Sequence, residues 1–248
     1  MATVNPEFSP GNPELSRRER VHLATKTDLV AAARALLVEQ GLTAVTVRAV
    51  AAKLGMTAPA IYRYYPSREL MLEDVVDLLY GELADYLEAA CESQRSGSLT
   101  DRFMATSRAF RRWALDNRPE FGLLFGAPIP GVGHQAHTAG WPSQDSRGIR
   151  FMLVWLRLFL EIPAAGINLA PWPRPIPEGL RSQLTSYLQR LGQPKASVEM
   201  AMMFLVSWQS LYGFICTETF GHLSFVLEDS SEMFDDWLEG LRERLQLP

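Results

Sequence analysis

Residues 47–68, VRAVAAKLGMTAPAIYRYYPSR, constrain this chain more than any other stretch. Val47, Val50, Ala51 and Leu54 recur at the spacing of one helical face. Thr46 precedes them and can cap that helix with its hydroxyl. Gly55 stands where the chain must leave the helix, and glycine tolerates the positive φ such an end needs. Thr57 is placed to cap a second helix, whose first turn holds Pro59, where a missing N–H costs nothing. Ile61 would face back toward Val50 and Leu54, and small Ala51 lets the two axes approach. Pro66 ends the second helix, and Ser67 caps a third that begins at Arg68. The spacing therefore predicts two short helices joined by a tight turn.

A plain structural hairpin has the same spacing. The outer face distinguishes the two readings. Thr57, Ala58, Pro59, Tyr62, Arg63 and Tyr64 avoid the apolar inner side, and a hairpin with only a structural role has little reason to expose them together. Hydroxyls and guanidinium groups are what phosphates and guanine edges accept. On this reading Arg63 makes the bidentate guanine contact, and Ala58 and Pro59 touch thymine methyls. Thr46, Arg48, Thr57, Tyr62, Tyr64 and Arg68 reach phosphates. Arg17, Arg18 and Arg20 either add flanking contacts or form a solvated helix end.

Residues 27–72 resemble the DNA-binding domain of TetR-family transcriptional regulators. The likeness rests on a long first helix ending in Glu39-Gln40-Gly41, the Thr46 start, the Ala51/Leu54-Gly55 pattern and the run AIYRYYPSR at 60–68. It implies an all-α fold: an N-terminal three-helix domain with a helix-turn-helix, and a C-terminal helical domain for ligand binding and dimerisation. It also implies a double-stranded DNA operator, a second copy of the chain and a small hydrophobic or aromatic effector as partners, with repression as the expected sign. Neither a cofactor nor catalysis is expected. A second likeness, to one branch of the family, lies in residues 110–126, FRRWALDNRPEFGLLFG, and in Trp208, Tyr212-Gly213, Glu218 and Gly221-His222. That branch has His where this chain has Tyr212, so a role that depends on histidine does not carry over.

Charge divides along the chain in the same sense. Residues 1–70 hold nine Lys/Arg and six Asp/Glu, a net +3, whereas residues 71–248 hold fifteen and twenty-two, a net −7. A positive end and an acidic body suit a protein that meets DNA at one end only. Two cysteines, Cys91 and Cys216, make no disulfide framework. No apolar run of membrane-spanning length is expected without interruption by charge, residues 151–162 coming closest. With no signal-peptide core at the N-terminus, a cytoplasmic location is expected.

Helical periodicity predicts helices over 16–40, 67–94, 100–116, 119–125, 144–162, 177–191, 196–222 and 230–245, besides the two in the turn motif. The first carries Val21, Ala24, Leu29, Ala32, Ala33, Leu36 and Leu37 on its apolar side. Residues 1–15 read as a disordered extension, 16–66 as the DNA-binding domain and 67–248 as the body, joined without a flexible linker.

Aromatic residues crowd the body. Phe110, Trp113, Phe125, Phe151, Trp155, Phe159, Trp208 and Tyr212 are the expected walls of an effector site, with ordinary core packing as the alternative. Arg111, Glu161, Gln209, Thr217 and Glu218 are candidate polar groups for it. Residues 196–222 are apolar nearly all round, which predicts burial on every side. Met203, Ser207, Ser210, Phe214 and Thr217 there, with Phe234, Trp237 and Leu241, are the expected dimer interface. Two other classes remain open. An enzyme is suggested only weakly by His134-x-x-His137, which lacks a third ligand. A regulator governed by a protein partner or by cysteine oxidation would need no cavity.

Overall fold

A computed structural model describes residues 16–132, 147–167, 169 and 172–248. All regular elements among them are helical, as the sequence predicts. They are α1 (Arg17–Gln40), α2 (Val47–Lys53), α3 (Ala58–Tyr62), α4 (Arg68–Ser93), α5 (Leu99–Asp116), α6 (Arg118–Phe125), α7 (Arg147–Ala164), α8 (Glu178–Arg190), α9 (Val198–Thr219) and α10 (Ser231–Arg244), with a 3-10 turn at Leu42–Ala44. The expected extension at 1–15 and the His134/His137 pair lie outside the described residues.

The helices pack into two units. One takes Met1–Glu82 and Asn117–Arg150, the other Leu83–Asp116 and Phe151–Pro248. The sequence reading ended the DNA-binding domain at residue 66. The packing divides α4 itself: its early turns, with all of α6, group with α1–α3.

Arg34 accounts for much of that grouping. From the middle of α1 its Nη1 donates to both carboxylate oxygens of Glu82 in α4, at 2.9 and 2.8 Å, while Nε donates to Glu120 of α6 at 3.2 Å. Nearby, Arg147 at the start of α7 pairs with Asp77 at 3.2 Å. Burial raises the Asp77 carboxyl above its ordinary range against the pull of Arg147. Gly81 lets that arginine pass: a Cβ there would lie 2.8 Å from Arg147 Cδ.

α1 starts with a complete capping box. Ser16 N donates to Glu19 at 2.8 Å, and Glu19 N donates to Ser16 Oγ at 3.3 Å. The helix ends at Gly41, whose φ of 82° is open to glycine. Its buried side begins only at Leu29. Val21 and Ala24, expected on the apolar face, are exposed, Val21 to 58%. The first turns of α1 run beyond the apolar cluster that the later turns join.

In the second unit, α5, α7, α9 and α10 contribute the core, including Phe110, Phe151, Leu211 and Phe234. α8 adds a satellite cluster in which Ile176, Leu184 and Leu188 pack on Ala201 of α9. An ion pair fixes three of these helices. Arg111 of α5 donates through Nε and Nη2 to Glu218 of α9, the former at 2.8 Å, and through Nη2 to Ser231 of α10 at 3.0 Å. Ser230 also donates to Glu218, at 2.6 Å.

α9 corrects one expectation. It is long and apolar enough to cross a membrane by length and composition alone, and residues 200–217 contain no charge. In the structure one side of it packs into the unit, burying Met200, Met203, Phe204, Ser207, Leu211 and Ile215, while other positions stay partly open.

Candidate nucleic-acid interface

The turn motif folds as its spacing requires. Thr46 Oγ1 accepts from Ala49 N at 3.1 Å and starts α2. Val50 and Ile61 are fully buried, with Ala51 at 3%, so α2 and α3 meet on their small, apolar sides. Gly55 takes φ 64°, and Met56 N donates to Ala51 O at 2.9 Å to close the turn. Thr57 occupies the N-cap of α3 but makes no capping bond, which leaves its hydroxyl to the surface. Ser67 Oγ accepts from Leu70 N at 3.2 Å and starts α4. Lys53 reaches Glu39 at 2.9 Å and ties α2 to α1.

Thr46, Arg48, Thr57, Pro59, Tyr62 and Arg63 are exposed, and Ala58 and Tyr64 are half-buried. All eight therefore stay at least partly open to solvent, on or beside α2 and α3. Arg68 differs. Its Nε donates to Val45 O and its Nη2 to Leu42 O at 2.8 Å. Expected at a phosphate, it instead braces the 3-10 turn that precedes α2. A guanidinium at the start of α4 can do this because a carbonyl oxygen has two lone pairs, and Leu42 O takes Arg68 besides Val45 N.

Tyr65 and its partners were not legible as a site. Its hydroxyl donates to Asp74 at 2.6 Å, Lys26 pairs with Asp74 at 2.9 Å, and the Lys26 ammonium lies 4.9 Å from the Tyr65 ring centroid. Burial and the Asp74 carboxylate both push the phenol pKa up. Tyr64, the next ring along, stacks on His22 of α1 at 4.7 Å and 24°. Both contacts fix the far end of α3 to α1.

The aromatic candidates divide. Phe110 lies 5.6–6.0 Å from the rings of Phe151, Trp155 and Trp208, and Trp208 stacks on Tyr212 at 5.8 Å. Phe159 packs with Phe103 and Phe204, and Trp113 is buried on α5. Phe125 belongs elsewhere: it sits in the first unit against Tyr80 and Phe121. Among the polar candidates, Arg111 and Glu218 hold each other, and Glu161 is held by Arg102 at 2.6 Å. Thr217 donates to its own helix, and Gln209 is exposed. A surface cavity of about 300 Å³, which no sequence pattern marks, is lined by Trp172, Arg174, Ile176, Arg181 and Glu199. An Arg181–Glu199 pair at 2.9 Å crosses its rim.

The dimer candidates also divide. Met203, Ser207, Phe234 and Leu241 are 1–5% exposed within their own chain. They support its core, not an outer face. Ser210, Phe214, Thr217 and Trp237 are only partly covered. A helix apolar all round does not reveal in sequence which side its own chain takes. Among the described residues no group of three or more His, Cys, Asp and Glu could hold a metal ion.

A three-helix head whose third helix exposes tyrosine, arginine and proline, followed by a helical body with an aromatic core, defines a helix-turn-helix regulator. Residues 29–75 match the bacterial regulatory proteins of the tetR family, and residues 103–241 match the tetracyclin repressor-like C-terminal domain. An HTH-type transcriptional regulator of Mycobacterium tuberculosis and one of Mycobacterium bovis are each 28% identical over 225 residues, covering 89% of this chain and 92% of theirs. Solved structures share the fold. A protein of unknown function from Rhodococcus sp. RHA1 has TM-score 0.64 at 20% identity, over 89% of this chain and 94% of its own. A tetR-family bacterial regulatory protein from Rhodococcus RHA1 has TM-score 0.55 at 16% identity, over 89% and 96%. The chain belongs to the tetR family: it is a DNA-binding transcriptional regulator, not an enzyme.

Proposed function

We propose that the protein is a homodimeric repressor that binds a near-palindromic operator and leaves it when a small, largely apolar effector enters the second unit. Trp155 carries the effector reading. Its indole is 3% exposed among the rings of Phe110 and Trp208, and its Nε1 has no hydrogen-bond partner among the described residues. Ser207 Oγ, beside Trp208 in α9, is buried in the same condition. Leaving a buried donor unsatisfied costs about 1–3 kcal/mol. A flat apolar molecule with a carbonyl or ether oxygen would recover that. Arg111 and Glu218 of this unit hold each other and Glu161 is held by Arg102, which favours a neutral effector over an acidic or basic one.

The dimer reading is supported by faces that α9 and α10 leave open. Val206, Ser210, Gly213 and Thr217 follow one stripe of α9, and Met233, Trp237 and Gly240 one stripe of α10. Two copies would present two α3 helices to half-sites one helical turn apart or a multiple of that. Communication between the units has a covalent basis. The chain passes between them inside α4, inside α7 and at Asn117, the single residue between α5 and α6. The place of action is the cytoplasm, where such DNA lies.

The test begins with duplexes selected from a random pool. Dyad-related half-sites and a dimer in sedimentation are expected. Neutral aromatic ketones and ethers should then release the DNA, with Trp155→Phe weakening their effect about tenfold and DNA affinity unchanged. Equal responses from wild type and Trp155→Phe would remove Trp155 from the effector site, and an asymmetric site bound by a monomer would end the dimer reading.

A further inference from the structure

The first turns of α1 are unexplained by the core. Residues 17–22 are all exposed, and the family match starts only at residue 29. Yet the segment is a capped helix, not a loose end, and it carries Arg17, Arg18 and Arg20. Its one early acid, Glu19, is engaged with Ser16 in the capping box, and none of the three arginines pairs with an acid among the described residues.

His22 sets where this segment lies. Its ring stacks on Tyr64, two residues past the end of α3, and one turn later Lys26 holds Asp74 and covers Tyr65. Arg18, His22 and Lys26 follow each other at four-residue intervals and share one side of α1. Arg18 therefore sits one turn, about 6 Å along the axis, beyond the ring that stacks on Tyr64 just past the end of α3. Arg17 stands roughly 100° around the helix from Arg18, and Arg20 roughly 200°, on the side turned away from α3.

We propose that the early turns of α1 form a second DNA contact, in which Arg18, flanked by Arg17, neutralises backbone phosphates next to the groove that α3 enters. The positive charge, its lack of acidic partners and its place beside the end of α3 all fit duplex DNA. The contact adds affinity without adding sequence information, because phosphates are the same at every step. His22 is the positioning residue. Its stack on Tyr64 holds Arg18 in register with α3.

The experiment uses the full chain, a duplex it has selected and a scrambled duplex of equal length. Binding is followed across salt concentrations. Arg17→Gln with Arg18→Gln should reduce the salt slope by about 1.8, two phosphates at about 0.9 each, equally on both duplexes. The base preference of the selected duplex should stay intact. Arg20→Gln should change the slope by less than half as much as Arg18→Gln, and His22→Ala should reproduce part of the Arg18 effect. Circular dichroism checks that each variant keeps its helices. An unchanged slope in the double variant, or equal effects from Arg18→Gln and Arg20→Gln, overturns the proposal. Failure of the wild-type chain to select any duplex would overturn the DNA-binding reading itself, and this contact with it.

Discussion

Arg34 Nε donates to Glu120 at 3.2 Å, and the Glu120 residue is only 4% exposed. The same guanidinium holds Glu82, so a single side chain of α1 secures both α4 and α6. A buried carboxylate stripped of its cation is strongly destabilising. Arg34→Met should therefore lower unfolding free energy by about 2–4 kcal/mol, read from the urea midpoint. Glu120→Gln should lower it less, about 1 kcal/mol, because the amide oxygen still accepts from Arg34. A shift below roughly 0.5 kcal/mol for Arg34→Met would mean that the pair is solvated and does not organise the unit.

Arg63 and Arg68 should separate cleanly. Arg63 is exposed at the end of α3, and Arg63→Ala should flatten base preference by about 1–3 kcal/mol at one or two positions of the selected site. Arg68 donates to Leu42 O and Val45 O. Arg68→Ala should lower head stability by about 1–2 kcal/mol and weaken every duplex alike, with the salt slope unchanged. A slope that falls by about one would return Arg68 to the phosphates.

Gly213 and Gly240 have nothing within 4 Å of where a Cβ would stand. Glutamate at either position fits the chain's own fold and improves helix propensity. Gly213→Glu should yield a folded monomer by sedimentation, with helix content by circular dichroism unchanged. A dimer that persists in both variants would place the interface elsewhere.

Cys216 bears on control by oxidation. Burial raises its thiol above the ordinary value of 9.0, against a smaller opposing contribution from Tyr212. A raised pKa means less thiolate at neutral pH, and the thiolate is the reactive form. Alkylation of Cys216 should thus be slower than that of a free thiol at neutral pH, and its rate should keep rising with pH past the point where a free thiol's levels off. Fast labelling near pH 7 would revive a redox role.

Within the head, local rules were enough. Thr46, Gly55, Pro59, Pro66 and Ser67 each act within a few residues of themselves, so capping, φ and proline chemistry fixed α2, the turn and α3 before any packing was known. The exposed set around Arg63 followed from the same wheel. Partners distant in sequence were a different matter. Arg68 looked like a phosphate ligand because nothing local shows a side chain reaching back over 20 residues to Leu42 and Val45. Tyr65, Lys26 and Asp74 converge only once three helices are assembled, and Arg34 chooses Glu82 and Glu120 across 48 and 86 residues.

The body shows the same division. Sequence alone determined that it is helical, aromatic-rich and acidic, because periodicity and charge are properties of the chain itself. Only the tertiary structure decided which side of each helix faces inward. α9 is apolar all round, so Ser207 and Ser210 are equivalent in sequence, yet packing buries the first and leaves the second half-open. The reason is that burial belongs to a pair of surfaces. A sequence states how apolar each face is, and the neighbouring helices determine which face loses its water.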